Sequence, residues 1–307
     1  MGKICVIGGS NIDICGRSEK PLIFHDSNPG FITIRYGGVG RNIAELLCCL
    51  NHSVEFVSCF GDDTYGKAIY EDCIRKGIDC QKSKIISNAN HSMYIALMDE
   101  GGELSLGMSD MRILDHFTKE DTIHAVHDLK KEDVLIIDSN LDEELIETAL
   151  QNAHCQKVSD PVSVNKCIKL KPFLHFLDIF KPNQYEAEVL SGITIHNEEN
   201  AKQSLDYFLD QGVKEIIISL AEKGVLLGTK EKKVLYQHRI VNVNNVTGGG
   251  DALLGMYLSK RMEEIEPFQA IQFAIASAIT MIEKQELIHQ DTLQQVIEQI
   301  KIKEIEL

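Results

Sequence analysis

The stretch NVTGGGDALLG, residues 245–255, places Gly248, Gly249, Gly250 and Asp251 directly ahead of an apolar run. The run reads as a helix, so the glycines fall at a helix N-terminus. Backbone N–H groups there have no intrahelical partner, and the helix dipole is positive. Glycines allow an anion to approach such a backbone closely. The stretch therefore indicates an anion hole, and phosphate is the anion that it favours.

The position of an aspartate beside this anion hole calls for a chemical explanation, because a carboxylate repels a phosphate. A general base that takes the proton of a hydroxyl attacking phosphorus would give Asp251 that reason, contributing on the order of 10²–10⁴ to the rate. The helix dipole is expected to keep Asp251 ionised. The alternative from the residues alone is a glycine turn followed by an acidic first-turn residue.

Other phosphate-binding patterns do not occur in the chain. There is no GxxxxGK[ST] and no HRD or DFG set, and GGSNID, residues 8–13, lacks the GxGxxG spacing of dinucleotide sites.

The composition narrows the class of partner. The 307 residues carry a net charge of -15, which disfavours a nucleic-acid polymer as partner. The nine cysteines show no CxxC, so we interpret them as reduced thiols of a cytoplasmic protein, with a disulfide or zinc framework as the alternative. No run of 18 apolar residues and no signal peptide is recognisable, so no membrane partner is expected.

Short apolar runs alternate with amphipathic helical stretches along the chain, which predicts an α/β fold with a mostly parallel sheet covered on both faces. Predicted strands include KICVIGG at 3–9, SVEFVSCFG at 53–61, and two strands joined by a turn near 222–224 in EIIISLAEKGVLLGT at 215–229. Predicted helices include DTYGKAIYEDCIRKG at 63–77, stopped by Gly77, and DTLQQVIEQIK at 291–301. Two segments, Pro21 to Gly38 and His91 to Leu106, instead alternate apolar and polar residues around a turn. We expect these two segments to form hairpins of a small separate sheet that covers a site, or else to be edge strands.

Five stretches, taken together and in order, resemble the ribokinase-like, phosphofructokinase-B-type carbohydrate kinases. They are GSNID at 9–13, YGGVGRNIAELLCCLN at 36–51, FGDDTYG at 60–66, KPNQYEAE at 181–188 and TGGGDALLG at 247–255. The match runs from about residue 3 to about residue 282. The resemblance implies a Rossmann-type three-layer sandwich formed by a single domain, residues 1–307. It also implies a small antiparallel β lid inserted at about 15–37 and 91–108.

The resemblance also implies roles for individual residues. Asp251 would be the catalytic base and Gly248, Gly249 and Gly250 the anion hole. The acceptor would contact Asn11, Asp13, Gly37, Gly38, Asn42 and Asn140. ATP would contact Asn183, Glu186, Ser219, Gly224 and Thr247, with Glu186 acting on Mg²⁺ through water. From the residues alone, Asn11 and Asp13 could be loop polars, Asn42 a helix cap, Asn183 a turn residue and Glu186 a solvated helix face.

Two features bear on cofactor and acceptor. Asn245 stands where many ribokinases have an aspartate that helps to bind a monovalent cation, so a requirement for potassium is left open. Three stretches, at about 26–45, 109–118 and 159–166, resemble the branch of the family that phosphorylates the nucleoside pseudouridine. Another nucleoside or a free sugar is the alternative acceptor. Within the lid, Asn28, Thr33 and Arg35 are candidates for contacts with a base, and the lid is also expected to join two copies of the chain in a homodimer.

Overall fold

The structure is a computed structural model that describes residues 2–238, 248–287, 297–298 and 303–306. Its strands are β1 Ile4–Ile7, β2 Asn11–Ser18, β3 Gly30–Gly37, β4 Val54–Val57, β5 Cys59–Gly61, β6 Lys84–Ile86, β7 Met93–Met98, β8 Leu104–Asp110, β9 Val134–Asp138, β10 Gln156–Asp160, β11 Ile179–Phe180, β12 Glu215–Ser219, β13 Val225–Gly228, β14 Lys233–Gln237 and β15 Lys303–Glu306. Its α-helices are α1 Val39–Cys49, α2 Thr64–Arg75, α3 Lys119–Val126, α4 Glu143–Asn152, α5 Val164–Cys167, α6 Gln184–Ser191, α7 Glu198–Asp210, α8 Gly249–Met262 and α9 Pro267–Lys284.

Nine of these strands form the central sheet, in the order β15-β14-β13-β12-β11-β10-β9-β1-β4. Neighbouring strands among β4, β1, β9, β10, β11 and β12 are parallel, whereas neighbouring strands among β12, β13, β14 and β15 are antiparallel. The mostly parallel sheet predicted from the alternation of apolar runs and helices is thereby confirmed.

Both faces of the central sheet are buried. In β1, Ile4 and Val6 pack into a core shared with α1, α2, α8 and α9, whereas Cys5 and Ile7 pack into a second core shared with α3, α4, α6 and α7. Successive side chains of a strand point to opposite faces, so a continuous apolar run such as ICVI fits a sheet between two helical layers. The result is a three-layer sandwich.

A four-stranded sheet, in the order β3-β2-β7-β8, stands apart from the central sheet, and we call it the small sheet. Its β7–β8 hairpin matches the prediction for the segment from His91 to Leu106. The other predicted hairpin was wrong in one strand: β3 pairs with β2, so residues 19–29 connect the strands instead of forming one. Pro21 and Pro29 lack the N–H that a strand ladder uses, which explains why the connection lies there.

The stretch SVEFVSCFG, read as one strand, divides into two. Strand β4 joins the central sheet, while β5 pairs with β6 in a separate two-stranded sheet. The helix that follows, α2, begins as predicted, with the side chain of Asp63 accepting from the Gly66 N–H, and it ends before Gly77, whose φ is +83°. All nine cysteines are free thiols, and five of them are buried.

The carboxyl ends of the parallel strands meet at one edge of the central sheet. Asp138 ends β9, Asp160 ends β10 and pairs with it in register, and Lys181 follows β11. Open α/β sheets bind ligands at this edge. Within the described ranges, no helix is long and apolar enough to cross a membrane. The helix predicted at residues 291–301 lies almost wholly outside the described residues.

Candidate active site

The three consecutive glycines mark the start of helix α8. Gly248 is its N-cap and has a φ of +83°, a conformation that strains any residue with a Cβ. A Cβ at Gly249 would lie 2.9 Å from Cγ1 of Ile282 on α9, and one at Gly250 would lie 2.8 Å from Nζ of Lys181. Gly248 therefore allows a tight turn, Gly249 allows close packing against α9, and Gly250 leaves room for the ammonium of Lys181. Gly249 has a packing reason that the sequence did not suggest.

Asp251 lies in the first turn of α8. Part of the residue is exposed to a cavity, whereas its carboxyl group is surrounded by protein atoms. Its Oδ2 accepts from Nδ2 of Asn42 at 2.8 Å. Burial, and then the negative charge of Asp160, raise the pKa of Asp251 to about 7, although Asn42 and Lys181 act to lower it. The helix dipole was expected to keep this carboxyl ionised. Lost hydration outweighs it, so the ionised form dominates only above about pH 7.

A buried ion pair that sequence reasoning missed lies next to the start of α8. Nζ of Lys181 is 2.8 Å from Oδ2 of Asp160, and each side chain is only 5% exposed. Burial lowers the pKa of Lys181, but the charge and hydrogen bond of Asp160, together with the charges of Glu186 and Asp251, outweigh this effect and leave that pKa raised. Asp160 ends an apolar strand and Lys181 directly follows one. This shared position at the end of a strand is the sequence signal from which the pair could have been predicted. Lys181 thus brings a positive charge to Gly250.

A cavity of about 200 Å³ opens beside Asp251. It is lined by Asp13, Arg35, Tyr36, Arg41, Asn42, Glu45, Leu46, Gly248, Asp251, Ala252, Met281, Gln285 and Leu287. Four of the residues predicted for catalysis, the anion hole or acceptor contact meet here, namely Asp13, Asn42, Gly248 and Asp251. A larger cleft of about 690 Å³ lies beside Gly2 and contains no predicted site residue.

Asp13 enters the cavity from strand β2 and not from a loop. Its Oδ1 accepts from Nδ2 of Asn11 at 2.5 Å. A Cβ at Gly37 would lie 2.2 Å from Oδ2 of Asp13, so only glycine leaves room for the carboxyl group at that place. Burial raises the pKa of Asp13, against the opposing effects of Asn11 and Arg35. Asn11 and Gly37 therefore support Asp13 without lining the cavity themselves.

Gly38 and Asn140 also stay outside the lining of the cavity. Gly38 has a φ of +102°, and a Cβ there would lie 2.4 Å from the carbonyl oxygen of Gly9. Oδ1 of Asn140 accepts from Nζ of Lys166 at 2.6 Å, and its amide nitrogen lies beside Gly9. Both residues contact the loop that follows β1.

Of the three lid candidates for a base contact, Arg35 alone lines this cavity. Its guanidinium donates to Oε1 of Gln285 at 2.6 Å, which links the small sheet to the end of α9. Asn28 instead bonds Ile23 within the β2–β3 connection, and Thr33 lies 3.5 Å from the carbonyl oxygen of Cys15. Arg41, which the sequence did not single out, also lines the cavity.

The predicted nucleotide residues cluster at the carboxyl edge of the sheet. Asn183 and Glu186 form a capping box at the start of α6, in which the Asn183 N–H donates to Oε2 of Glu186 at 2.7 Å. Glu186 is 2% exposed, so it is no solvated helix face. Ser219 ends β12 and forms a parallel bridge with Asn183. Gly224 has a φ of +115° and follows a short 3-10 helix.

Two positions discussed from the sequence, Asn245 and Thr247, lie outside the described residues.

Fold and site together define the class of protein, a ribokinase-like α/β fold with a polar cavity between a helix N-terminus and a small sheet. The chain belongs to the pfkB family carbohydrate kinases, whose family model matches residues 1–293. The resemblance read from the five motifs and the predicted fold class are thereby confirmed.

Two relatives and one solved structure support the assignment of the chain to this family. The chain is 33% identical over 273 residues to a pseudouridine kinase of Escherichia coli, covering 88% of this chain and 87% of that one. It is 27% identical to a ribokinase of Haemophilus influenzae, covering 82% of each chain. The crystal structure of a putative sugar kinase from Clostridium perfringens superposes with a TM-score of 0.82, at 27% identity over 100% of this chain and 99% of that one.

Proposed function

We propose that the protein transfers the γ-phosphoryl group of ATP to the 5′-hydroxyl of pseudouridine, giving pseudouridine 5′-phosphate. The observation that carries the phosphotransfer is the position of Asp251. Its carboxyl group is held by Asn42 in a cavity shared with Asp13, at a helix N-terminus that also meets Lys181.

Asp251 acts as the general base in this proposal. Its carboxylate accepts the proton of the acceptor hydroxyl, the oxygen forms a bond to the γ-phosphorus, and the bond from that phosphorus to the bridging oxygen breaks. ADP leaves with the electron pair of that bond. The free N–H groups at the start of α8 and the ammonium of Lys181 stabilise the negative charge of the phosphoryl oxygens. Gly250 keeps this place free of side-chain atoms.

Asp13 and Asn42 hold the ribose hydroxyls. A carboxylate accepts from two hydroxyl donors, and an amide both accepts and donates, so the two side chains match a vicinal diol. In this proposal a ribose bound by Asn42 lies next to the base, because Nδ2 of Asn42 is 2.8 Å from Oδ2 of Asp251. This arrangement aims the 5′-oxygen at Asp251.

ATP lies along the carboxyl edge of the central sheet, against Asn183, Ser219 and Gly224, and Thr247 is a further contact that the family resemblance implies. The residues present also fit Mg²⁺. Three carboxyl groups, those of Asp160, Glu186 and Asp251, lie within electrostatic reach of the single ammonium of Lys181 at this edge. Oxygen donors with surplus charge suit a hard cation. Glu186 would hold Mg²⁺ through water, and the ion would offset phosphate charge when bound.

The choice of pseudouridine is supported by the 33% identity to a pseudouridine kinase and by the three stretches noted in the sequence. The 27% identity to a ribokinase supports a free sugar as the second candidate. The cavity contains more polar groups than a ribose needs. Arg35 at its wall carries five N–H donors, one of which bonds Gln285, and so provides donors for a polar base edge.

We expect k_cat/K_M for pseudouridine to exceed that for uridine by roughly 10- to 100-fold, with little activity on free ribose. Both nucleosides carry the same ribose, but pseudouridine has an additional N1–H donor. A buried acceptor that uridine leaves unpaired costs about 1–3 kcal/mol. Steady-state rates with ATP and Mg²⁺ on pseudouridine, uridine, adenosine, ribose and fructose test this, with the phosphate position read by NMR. A higher k_cat/K_M for ribose or adenosine would refute the acceptor and leave the kinase intact.

We also propose that the protein is a cytoplasmic homodimer joined through the small sheet. The face opposite Asp13 and Arg35 is apolar, and beside the half-buried Ile14 it presents the exposed side chains of Ile32, Ile34, Ile95, Leu97, Leu106 and Met108. Two copies of a chain with a net charge of -15 repel each other, and this row contains no charged side chain. A second copy therefore fits it better than a charged partner does.

Light scattering should give a mass of about twice 34.4 kDa for the wild type and of one chain for Ile34→Lys. The matched control is Phe31→Lys, which changes an exposed apolar residue of the same strand on its other face and should leave the dimer intact. A monomeric wild type, or a dimer that survives Ile34→Lys, would refute this interface.

A further inference from the structure

We propose that Arg41 is a positioning residue of the acceptor site, which fixes the side-chain amide of Asn42 so that its NH₂ group faces Asp251. The inference rests on the proposed phosphotransfer by Asp251. It assigns a function to a buried arginine that no motif reading singled out.

Arg41 is itself held rigidly. It is 2% exposed, although it lies at the wall of the cavity. One guanidinium nitrogen lies 2.6 Å from Oδ2 of Asp72 on α2, and the other lies 2.5 Å from Oε2 of Glu45, one turn further along α1. The guanidinium carbon is 5.8 Å from the ring centroid of Tyr36 on the small sheet. Three elements thus fix the plane of the guanidinium group.

This fixed guanidinium determines which way the Asn42 amide points. The nitrogen that contacts Glu45 also donates to Oδ1 of Asn42 at 3.2 Å, and Nδ2 of Asn42 donates to Oδ2 of Asp251 at 2.8 Å. An amide turned by 180° would place its NH₂ against the guanidinium and its oxygen against the carboxylate. Both contacts would be repulsive, because an arginine has no acceptor and a carboxylate has no donor.

Lysine could not replace Arg41 in this arrangement. A planar guanidinium donates in two directions at once, here toward Asp72 and toward Asn42. A lysine ammonium is a single charged centre on a flexible chain, and it would follow the buried carboxylate of Asp72. Arg41→Lys therefore preserves the buried charge but releases the Asn42 amide.

Other charged groups surround Asp251 and stay in place in such a variant. From the central sheet these are Asp138, Asp160 and Lys181, and across the cavity they are Asp13, Arg35 and Glu45. Arg41 differs from them because it acts through an amide that touches the carboxyl group. Since the Asn42 bond lowers the pKa of Asp251, its loss should raise that pKa.

We expect Arg41→Lys to lower k_cat about tenfold, since a misplaced reacting group is costly, while K_M for ATP stays within about twofold. The acid limb of the pH profile of k_cat should move to higher pH. Arg75→Lys is the matched control. Arg75 also pairs with Asp72, at 2.7 Å, but its side chain is 70% exposed. This control should keep the wild-type rate and pH profile. An unchanged k_cat and acid limb in Arg41→Lys would overturn the inference.

A double-mutant test separates positioning from a general structural role. If Arg41 acts through Asn42, Arg41→Lys should change k_cat by less than about twofold in an Asn42→Ala background, because the amide that it orients is gone. A full tenfold loss in that background would show that Arg41 acts elsewhere, and the inference would fail.

A measurement without substrate tests the positioning role of Arg41 independently of the proposed function. With ¹⁵N-labelled asparagine, the two side-chain amide protons of Asn42 should have well-separated NMR shifts in the wild type, and they should approach free-amide values in Arg41→Lys. The Asn42→Ala spectrum assigns the signal. Identical Asn42 signals in wild type and Arg41→Lys would overturn the positioning role. Absence of kinase activity in the wild type would refute only the proposed function.

Discussion

Replacing Asp251 with asparagine is expected to lower turnover by at least about 10²-fold while nucleotide and acceptor still bind. Asparagine has nearly the same shape, and its amide oxygen can still accept from Nδ2 of Asn42, now 2.8 Å from the Asp251 carboxyl. The variant therefore keeps the cavity and removes the proton acceptor. Steady-state rates, with calorimetric titration of nucleotide and nucleoside, measure the two properties separately.

The pH profile links this loss to the carboxyl group itself. The pKa of Asp251 is raised to about 7, so wild-type turnover should fall as the pH drops through about 7 and the base becomes protonated. The asparagine variant should lack this acid limb. Asp133→Asn makes the same chemical change at a buried carboxyl that accepts from the backbone of Lys3 and Lys130, and it should keep the rate and the acid limb. A near-normal rate for Asp251→Asn would remove Asp251 from the role of base.

Stability provides a second readout of the same substitution. Between the unfolded pKa of Asp251, near 3.8, and the folded value of about 7, the folded state binds the proton more tightly. The free energy of unfolding therefore decreases as the pH rises through this window. Asparagine does not titrate, so the variant should melt at a higher temperature than the wild type at pH 8, and this advantage should shrink toward pH 5.

The elements of the fold could be predicted where one local pattern decided the structure. The buried run ICVI and the antiparallel pair β12–β13 were foreseen because burial and turn chemistry are local. The pairing of β2 with β3 was missed, because a Pro-containing connection separates the strands and the turn at Asn28-Pro29-Gly30 suggested a nearer partner. Strand pairing over a long connection depends on tertiary packing, which no window of sequence contains.

The candidate site divides in the same way. Asp251, Asn42 and Asp13 were identified because each belongs to a recognisable motif, and the structure brings them to one cavity. Lys181 and Asp160 were missed because they are 21 residues apart and become a pair only when β10 and β11 lie side by side. The raised pKa of Asp251 was missed for a related reason, since it follows from burial and from Asp160, not from the helix to which Asp251 belongs.

The second large effect is expected at Gly250, where valine should lower k_cat by about 10²–10³-fold while the protein stays folded. A Cβ at Gly250 would lie 2.8 Å from Nζ of Lys181, whose side chain is 5% exposed and paired with Asp160. The ammonium must then move away from the place where we propose that the phosphoryl group lies. The valine also occupies that place, and losing one such electrostatic contact typically costs around 3 kcal/mol in the transition state.

Thermal melting distinguishes a blocked phosphate site from an unfolded protein. If Gly250→Val is slow because the phosphate site is blocked, its melt should remain cooperative. The matched control is Gly228→Ala in β13, where a Cβ would lie 3.2 Å from side-chain atoms of Ile216 and Leu205 in the core. That control should melt at a lower temperature and keep its k_cat, because it crowds packing and not the phosphate site. A Gly250→Val protein that melts cooperatively and turns over at the wild-type rate would show that no phosphoryl group approaches the start of α8, and the anion hole proposed there would fail with it.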